Sequence, residues 1–311
     1  MQNLVSCKRI LKLMGNRFEF TVLAEDEQQG QDAIDSAINE VIRIEELLST
    51  FKETSETNLI NQNAGSMPIK VSTEVIELIL RSQKISEITQ GAFDITYGSL
   101  DKSLWNFDVK MTALPDPDLA LQSVHLINYK NVIVDPENNT VQLKNPGMRI
   151  GFGGIGKGYA ADRAKIILKN AGIRSGIVNA AGDLITWGKQ PNEKPWTIGI
   201  ADPDKKGHPF SSLNVSDMAI ATSGNYEKFA TINGKRYSHT INPRTGMPVH
   251  GIKSVSVICP SAELADALAT PVTVMGREIG LDLINQLTNV ACIIVDENNH
   301  VHTTNNIHLK N

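Results

Sequence analysis

The sequence predicts an α+β fold in which mostly antiparallel sheets carry packed helices. Three observations lead there. Apolar residues recur at helical spacing at 33–48 and at 75–85, so these helices each bury one face, and Ser261 can cap a further helix. The strand-like runs between them are joined by turn signals such as Met14-Gly15-Asn16 and Asp135-Pro136-Glu137-Asn138-Asn139, which favour hairpins over crossovers. The regular strand–helix alternation of a doubly wound parallel sheet is missing.

In order, residues 8–24 read as two strands around Met14-Gly15-Asn16. From 27 to 49, Ala33, Ile34, Ala37, Ile38, Val41, Ile42 and Leu48 mark the buried face of a helix, which Ser49-Thr50-Phe51 ends. A polar stretch runs through Asn63 to Gly65. Ser72 can N-cap a second amphipathic helix carrying Val75, Ile79 and Ile85, and Gly91 terminates it. Residues 91–108 form an aromatic-rich connection, and Asp116-Pro117 opens a short helix. Strands then alternate with turns up to a strand-like run from Val141 to Ile150. A glycine loop and an alanine-rich helix ending near Gly172 follow. Short strands are expected at 175–179, 184–187, 196–201, 211–222, 229–241 and 253–258. Ser261 caps a helix through Ala269, with Pro271 breaking or kinking it. A helix near 277–286 and a hairpin at 290–304 complete the chain.

At 311 residues there is ample material for a core, as one large domain or two lobes. The 41% hydrophobic and 21% charged content is that of an ordinary soluble globular protein. A formal net charge of −4 gives no reason to expect nucleic-acid binding. No apolar run approaches the roughly 18 residues of a membrane span. Three scattered cysteines (Cys7, Cys259, Cys292) rule out a disulfide framework and a Cys-x-x-Cys motif. Leu4-Val5-Ser6-Cys7 faintly resembles the end of a lipoprotein signal, but no hydrophobic stretch precedes it and Lys8-Arg9 follow. As written, the chain reads as a mature or cytoplasmic protein; the alternative is an exported or lipid-anchored protein whose signal segment lies outside this sequence.

The glycine loop is the most informative stretch. Five glycines fall within the eight residues 151–158, letting a large ligand approach the main chain. The amides opening the following helix favour an anion such as a phosphate. Gly151-Phe152-Gly153-Gly154-Ile155-Gly156 has the G-x-G-x-x-G spacing of a dinucleotide fingerprint, which needs an acidic residue about 20 residues on. The nearest candidate, Asp183, lies farther along, after Asn179-Ala180-Ala181-Gly182. Gly151 to Lys157 also has P-loop spacing, yet Gly158 stands where a Ser or Thr should hold magnesium. Neither motif is complete. The loop is read as holding a dinucleotide pyrophosphate and one metal ligand, against the plainer reading of a structural turn.

Asp266 and Thr270 sit four apart on a predicted helix, so their oxygens project from one face. A carboxylate and a hydroxyl form a hard-oxygen pair suited to magnesium or calcium. On spacing alone, a solvent-facing Asp and a Thr bonded to its own helix account for them better. His239 lies where a strand runs into the turn Asn242-Pro243-Arg244-Thr245-Gly246, a place that suits a general base. Ser223-Gly224-Asn225-Tyr226 and the turn before Asp183 are further strand ends. Met14, Phe51, Phe93, Tyr97, Trp105 and Phe107 can line a flat aromatic ligand or serve as core.

Together these segments resemble the FAD:protein FMN transferase family, the ApbE-like flavin transferases. The likeness runs in order from about residue 11 to 276. It is carried by Met14-Gly15, Ser49-Thr50-Phe51, Gly91-Ala92-Phe93-Asp94-Ile95-Thr96 and Gly153-Gly154-Ile155-Gly156-Lys157-Gly158-Tyr159-Ala160-Ala161-Asp162. Ala181-Gly182-Asp183, Ala221-Thr222-Ser223-Gly224, Ser238-His239-Thr240-Ile241-Asn242-Pro243 with Thr245-Gly246, and Ala265-Asp266-Ala267-Leu268-Ala269-Thr270 complete it. The resemblance implies an ApbE-like, T-fold-related domain over 1–311, with FAD in a cleft between two lobes. It implies magnesium-dependent transfer of FMN from FAD to a Thr or Ser hydroxyl of a partner flavoprotein, such as a redox-complex subunit, with release of AMP. It further implies Mg²⁺ on Asp266, Thr270 and the Gly154 carbonyl, and His239 as the base. Met14, Phe51, Ala92, Phe93, Asp94, Gly151, Lys157 and Thr240 match flavin-nucleotide contact positions. Several residues depart from the pattern: Gly151 stands for a frequent acidic residue, Phe51 for Tyr, Asn242 for Asp, and Pro271 directly follows a proposed ligand.

The physics agrees with that chemistry. Pyrophosphate cleavage builds charge on non-bridging oxygens, which a hard dication, helix-terminal amides and Lys157 can offset. A hydroxyl is a weak nucleophile at its free pKa and benefits from a neutral imidazole. Two further readings stand beside transfer: a magnesium-dependent FAD pyrophosphatase giving FMN and AMP, and a non-catalytic FAD-binding protein. A nicotinamide-dependent oxidoreductase lacks the acidic strand end it needs.

Overall fold

The chain begins with a hairpin whose geometry follows from two residues. Strands β1 (Val5–Leu13) and β2 (Asn16–Ala24) pair in register from Val5 with Ala24 to Leu13 with Asn16. Met14 and Gly15 between them both take positive φ, 50° and 72°, as a two-residue turn matched to strand twist requires. The Met14 amide donates to Glu45 at 2.7 Å, tying the turn to helix α1 (Glu27–Leu48). The computed structural model describes residues 4–105, 111–201, 209–224 and 229–307.

Asp26 caps α1 by accepting from the Gln29 amide, and Ile34, Ala37, Val41, Ile44 and Leu48 form its buried stripe. Ile44, rather than the expected Ile42, completes that face; Ile42 lies exposed. The polar stretch after Phe51 contains a helix absent from the sequence reading, α2 (Glu56–Gln62), capped by Ser55. Strand β3 (Ile69–Lys70) and helix α3 (Thr73–Ile88) follow, with Ser72 capping α3 as expected. Helix α4 (Pro117–Ser123) starts at the expected Asp116 cap. Strands β4 (Val132–Asp135) and β5 (Thr140–Leu143) form a hairpin. The expected strand up to Ile150 stops at Leu143, and 144–150 are irregular. Pro146 lacks a ladder donor and Gly147 takes φ 80°, so the pairing ends there.

Beyond the glycine loop come helix α5 (Gly156–Asn170) and strands β6 (Ser175–Ala180), β7 (Asp183–Trp187) and β8 (Trp196–Ala201). The expected single strand over 211–222 is two, β9 (Pro209–Val215) and β10 (Ala219–Gly224). Likewise 229–241 divides into β11 (Phe229–Ile232) and β12 (Lys235–Ile241), around an Asn233-Gly234 turn of positive φ. Strands β13 (Pro248–His250) and β14 (Ile252–Cys259) lead into helix α6 (Ala262–Met275). Pro271 does not break α6. Ala265, Ala267, Leu268, Ala269 and Val272 are all buried around it, and that burial offsets the lost helix bond. Helix α7 (Arg277–Asn285) and the hairpin of β15 (Ala291–Asp296) and β16 (Val301–Thr303) complete the described chain.

Among the described residues, eight antiparallel strands form the main sheet in the order β1-β2-β6-β7-β10-β14-β15-β16. Alternation assigns its two faces. Ile185, Ala219, Ala221, Val257 and Ile294 face the core shared with α1, α5 and α6. Their neighbours Leu184, Ile220, Ile258 and Ile293 face the other way, beneath Trp196 and Ile198 of the β8–β9 ribbon. This is the expected α+β architecture. No described helix is long and apolar enough to cross a membrane.

Helices α5 and α6 are bound by a cap that crosses between them. Asp162 of α5 accepts from the Ala262 and Glu263 amides at 3.0 Å each and from the Ser261 hydroxyl at 2.8 Å, closing the first turn of α6. Asp162→Ala removes all three bonds and leaves only the Ser261 self-cap. A loss of about 2 kcal/mol is expected from such a cap, read as a lower urea midpoint at unchanged slope.

Candidate active site

The glycine loop is held rigid by its main chain. Asn61 of α2, itself buried, accepts from the Ile150 amide at 2.7 Å and donates to the Ile150 carbonyl at 3.0 Å. The Ser99 hydroxyl makes the same paired contact with Arg149, at 2.8 and 3.0 Å. The Gly151 amide donates to Ile95 at 2.9 Å. Three consecutive residues are thus fixed before the chain turns into α5.

The loop's glycines face the residues that the sequence had singled out at a distance. A methyl group at Gly151 would lie 3.3 Å from the Thr50 methyl, next to Phe51. One at Gly154 would lie 3.6 Å from the Phe93 ring, and one at Gly156 would lie 3.7 Å from the Met14 methyl. At Gly158 it would strike the Ala262 carbonyl of α6 and come within 2.9 Å of the Asp266 Cβ. Gly158 is therefore glycine because another helix's backbone passes there.

That close approach brings Asp266 to the start of α5. Ile155 at the N-cap supplies no side-chain acceptor. The Gly158 amide donates instead to Asp266 Oδ2 at 3.0 Å, so a carboxylate from α6 meets the positive end of α5. Lys157, one residue earlier, hydrogen-bonds Asp183 at the start of β7 and reaches both Asp266 oxygens at 3.4 Å. The Asp183 and Asp266 side chains are only 8% and 7% exposed, so a buried site holds two carboxylates and one ammonium. Burial works against the Lys157 charge, but Asp266 and Asp183 more than offset it and raise its pKa above the lysine range. Burial and then the Asp266 charge push the Asp183 pKa up, against the pull of Lys157 and the Thr222 amide.

Thr270, one turn along α6, is half-buried. The expected alternative was a threonine bonded to its own helix. Thr273 behaves that way, donating to Ala269 at 3.1 Å, whereas the Thr270 hydroxyl has no hydrogen bond among the described residues. Nor is Asp266 solvent-facing, at 6% exposed. The donors fit a hard cation: a carboxylate with an oxygen to spare, an unengaged hydroxyl one turn away, and an excess of negative charge. Among the described residues no group of three His, Cys, Asp or Glu side chains is placed to hold a metal, so such a site depends on hydroxyl, carbonyl or ligand oxygens for the rest.

His239 is exposed on β12, a strand that packs against α6. Thr240 beside it is buried, and its amide donates to the Ser238 hydroxyl at 2.9 Å. Strand alternation thus points the two side chains to opposite faces, leaving Thr240 only its main chain to offer a ligand beside His239.

The aromatic set divides. Phe51 is 93% exposed, a free ring face, while Phe93 and Ala92 are buried beside the loop. Tyr97 and Trp105 belong to a separate cluster with Leu100, Ala120, Val124 and Ile241; the Tyr97 hydroxyl accepts from the Ile241 amide at 3.2 Å. They are core. Phe107, Asn225 and Tyr226 lie outside the described residues. Asp94 uses both carboxylate oxygens internally, accepting from the Thr96 amide and hydroxyl and from the Tyr129 amide at 2.6–2.8 Å. Burial still pushes its pKa up. An open cleft of about 740 Å³ between α3, α4 and the Pro243-Arg244 turn touches Gly91 and Asp94, but neither the glycine loop nor α6 lines it.

Three supporting residues escaped sequence reasoning: Asn61, Ser99 and the lysine-holding role of Asp183. Asn61 sits in a polar stretch and Ser99 in an aromatic-rich connection, where such residues ordinarily make local turns. Asp183 was visible only as a misplaced fingerprint acid.

The chain is similar to known proteins in sequence and in fold. The model of the ApbE family matches residues 14–294. A Treponema pallidum protein named FAD:protein FMN transferase is 31% identical over 281 residues, covering 84% of this chain and 77% of that protein. The crystal structure of an ApbE protein from Thermotoga maritima superposes with TM-score 0.84 at 29% identity, covering 97% of each chain. The apo form of the Pseudomonas stutzeri flavinyl transferase ApbE gives TM-score 0.84 at 25% identity, over 97% of this chain and 95% of that one.

Two substitutions test the geometry. Asn61→Ala strands two buried main-chain groups and should cost about 3 kcal/mol in chemical denaturation. Gly158→Ala must push α6 away from α5; a loss of about 1–3 kcal/mol is expected, together with weaker binding of any ligand that uses Asp266.

Proposed function

This chain belongs to the ApbE family, and from that premise we propose that it transfers FMN from FAD to a Thr or Ser hydroxyl of a partner flavoprotein. The observation that carries the reading is the meeting of Asp266 with the uncapped start of α5, behind a glycine loop whose conformation is set by its own main chain. Such a loop and helix end suit a pyrophosphate. In this proposal FAD lies along the loop in a cleft between two lobes, with Met14, Phe51, Ala92, Phe93, Asp94 and Gly151 on its flavin-nucleotide side. Asp94 would act there through the backbone it shapes, since its carboxylate is already engaged.

Asp266, Thr270 and the Gly154 carbonyl would hold Mg²⁺. When bound, the ion supplies charge neutralisation at non-bridging phosphate oxygens. The chain's own groups do the rest. Lys157 places its ammonium beside the phosphates, and the fixed loop amides orient them without reorganisation. His239, exposed where a partner can reach it, takes the proton from the incoming hydroxyl. The hydroxyl oxygen forms a bond to the FMN-side phosphorus, the bridging P–O bond breaks, and AMP departs with its electron pair. Exposure of His239 matches a macromolecular acceptor better than a sealed site for water. Hydrolysis to FMN and AMP remains the competing outcome where no acceptor is present.

The direct test is mass spectrometry of a flavoprotein subunit incubated with this protein, FAD and Mg²⁺. An acceptor heavier by one FMN moiety, with AMP released, is expected; free FMN with an unlabelled acceptor would instead mark a pyrophosphatase. His239→Ala should keep FAD binding and lose transfer by about 10²-fold or more, and full activity would remove it from the base role. Asp266→Ala, or excess EDTA on the wild type, should abolish turnover while circular dichroism stays native.

A further inference from the structure

Lys157 stands between two carboxylates that do different work. Asp183 is placed by its strand: it opens β7 after the Ala181-Gly182 turn and pairs with Ala180. Its carboxylate accepts from Lys157, and the Thr222 amide on the neighbouring strand β10 also favours its charged form. Asp266 is placed by its helix, and its Oδ2 already accepts from the Gly158 amide. Its contacts with the ammonium, at 3.4 Å to both oxygens, are at the long limit of hydrogen bonding. Oδ1 therefore has only that long contact, and the site carries one negative charge in excess of the single ammonium.

We propose that Asp183 is a positioning residue that holds Lys157 off Asp266, leaving the Asp266 carboxylate open to a divalent cation while the ammonium stays in the site. The inference rests on the reading of Asp266 and Thr270 as Mg²⁺ ligands, and it assigns a role to a residue outside that ligand set. A cation at Asp266 repels the Lys157 ammonium, which needs a second partner or leaves. Asp183 is that partner, placed by its strand pairing and almost shielded from water. Without its charge, the ammonium has one carboxylate left to pair with, and that carboxylate is Asp266. Lysine and metal then compete for the same oxygens.

Competition predicts opposite signs for two neighbours, which a merely structural role does not. Asp183→Asn keeps size and hydrogen bonding but frees Lys157 to close on Asp266. Its Mg²⁺ affinity should fall by about tenfold or more, since one buried unit charge is lost near the ion. Lys157→Gln removes both the competitor and its charge, so Mg²⁺ should bind more tightly than in the wild type. The double variant restores the original charge balance and should return towards the wild-type constant.

The measurement is isothermal titration calorimetry with Mg²⁺ on the whole protein in the absence of FAD, with thermal unfolding to check each fold. Weaker binding in Asp183→Asn, tighter binding in Lys157→Gln and near-recovery in the double variant support the proposal. Wild-type binding with Asp183→Asn unchanged, or with Lys157→Gln weakened, overturns it and leaves the transferase reading intact. Failure of the wild type to bind Mg²⁺ at all overturns the metal reading as well. Should Asp183→Asn not fold, the sign of the Lys157→Gln shift decides alone.

Discussion

The contact between α5 and α6 at Gly158 is the constraint on which the candidate site depends. Each helix closes the first turn of the other: Asp266 accepts from the Gly158 amide, and Asp162 accepts from the Ala262 and Glu263 amides. Orphan amides at a buried helix start must find acceptors; at α5 the acceptor comes wholly from the partner helix, and at α6 Asp162 adds to the Ser261 cap. The exchange fixes how far apart the helices sit and where the Asp266 carboxylate lies. It works only with a hydrogen at position 158, because a side chain there would strike the Ala262 carbonyl.

The loop in front of α5 is fixed in a different way. Asn61, Ser99 and Ile95 bind its backbone at Ile150, Arg149 and Gly151 in turn. Hydrogen-bonded main chain reorganises little when a charged ligand arrives, and that is the condition under which aimed amides stabilise developing charge. Met14, Thr50 and Phe93, drawn from three distant segments, approach the same loop. The main sheet makes this possible by placing the β1–β2 hairpin, α1 and α5 over one core.

Electrostatics then separates the roles of similar residues. Asp94 and Asp183 both have pKa values raised by burial, yet Asp94 spends its oxygens on local amides and a hydroxyl while Asp183 holds a lysine. Thr270 and Thr273 share a helix, but only Thr273 returns its hydroxyl to the helix backbone. His239 and Thr240 are neighbours in one strand with opposite exposures. In each pair the residue type is alike and the surroundings decide.

Much of this was legible in the chain alone. Helical periodicity placed α1 and α3, because one buried face per helix leaves a repeat in the sequence, and alanine-rich composition placed α5. Ser72 and Asp116 marked helix starts, because a cap is a local interaction. The order of the family's motifs identified the residues that now surround the loop. What the chain could not disclose depends on partners far away in sequence. Asn61 reaches Ile150 across 89 residues, and α6 passes through Pro271 because the surrounding core outweighs one missing bond. The long runs at 211–222 and 229–241 hid turns, since a strand's apolar alternation continues across a tight reversal. The charge arrangement of Lys157, Asp183 and Asp266 belongs wholly to the tertiary structure: a carboxylate's pairing is set by the distance to its neighbours and by the water excluded from between them, and neither is written in linear spacing.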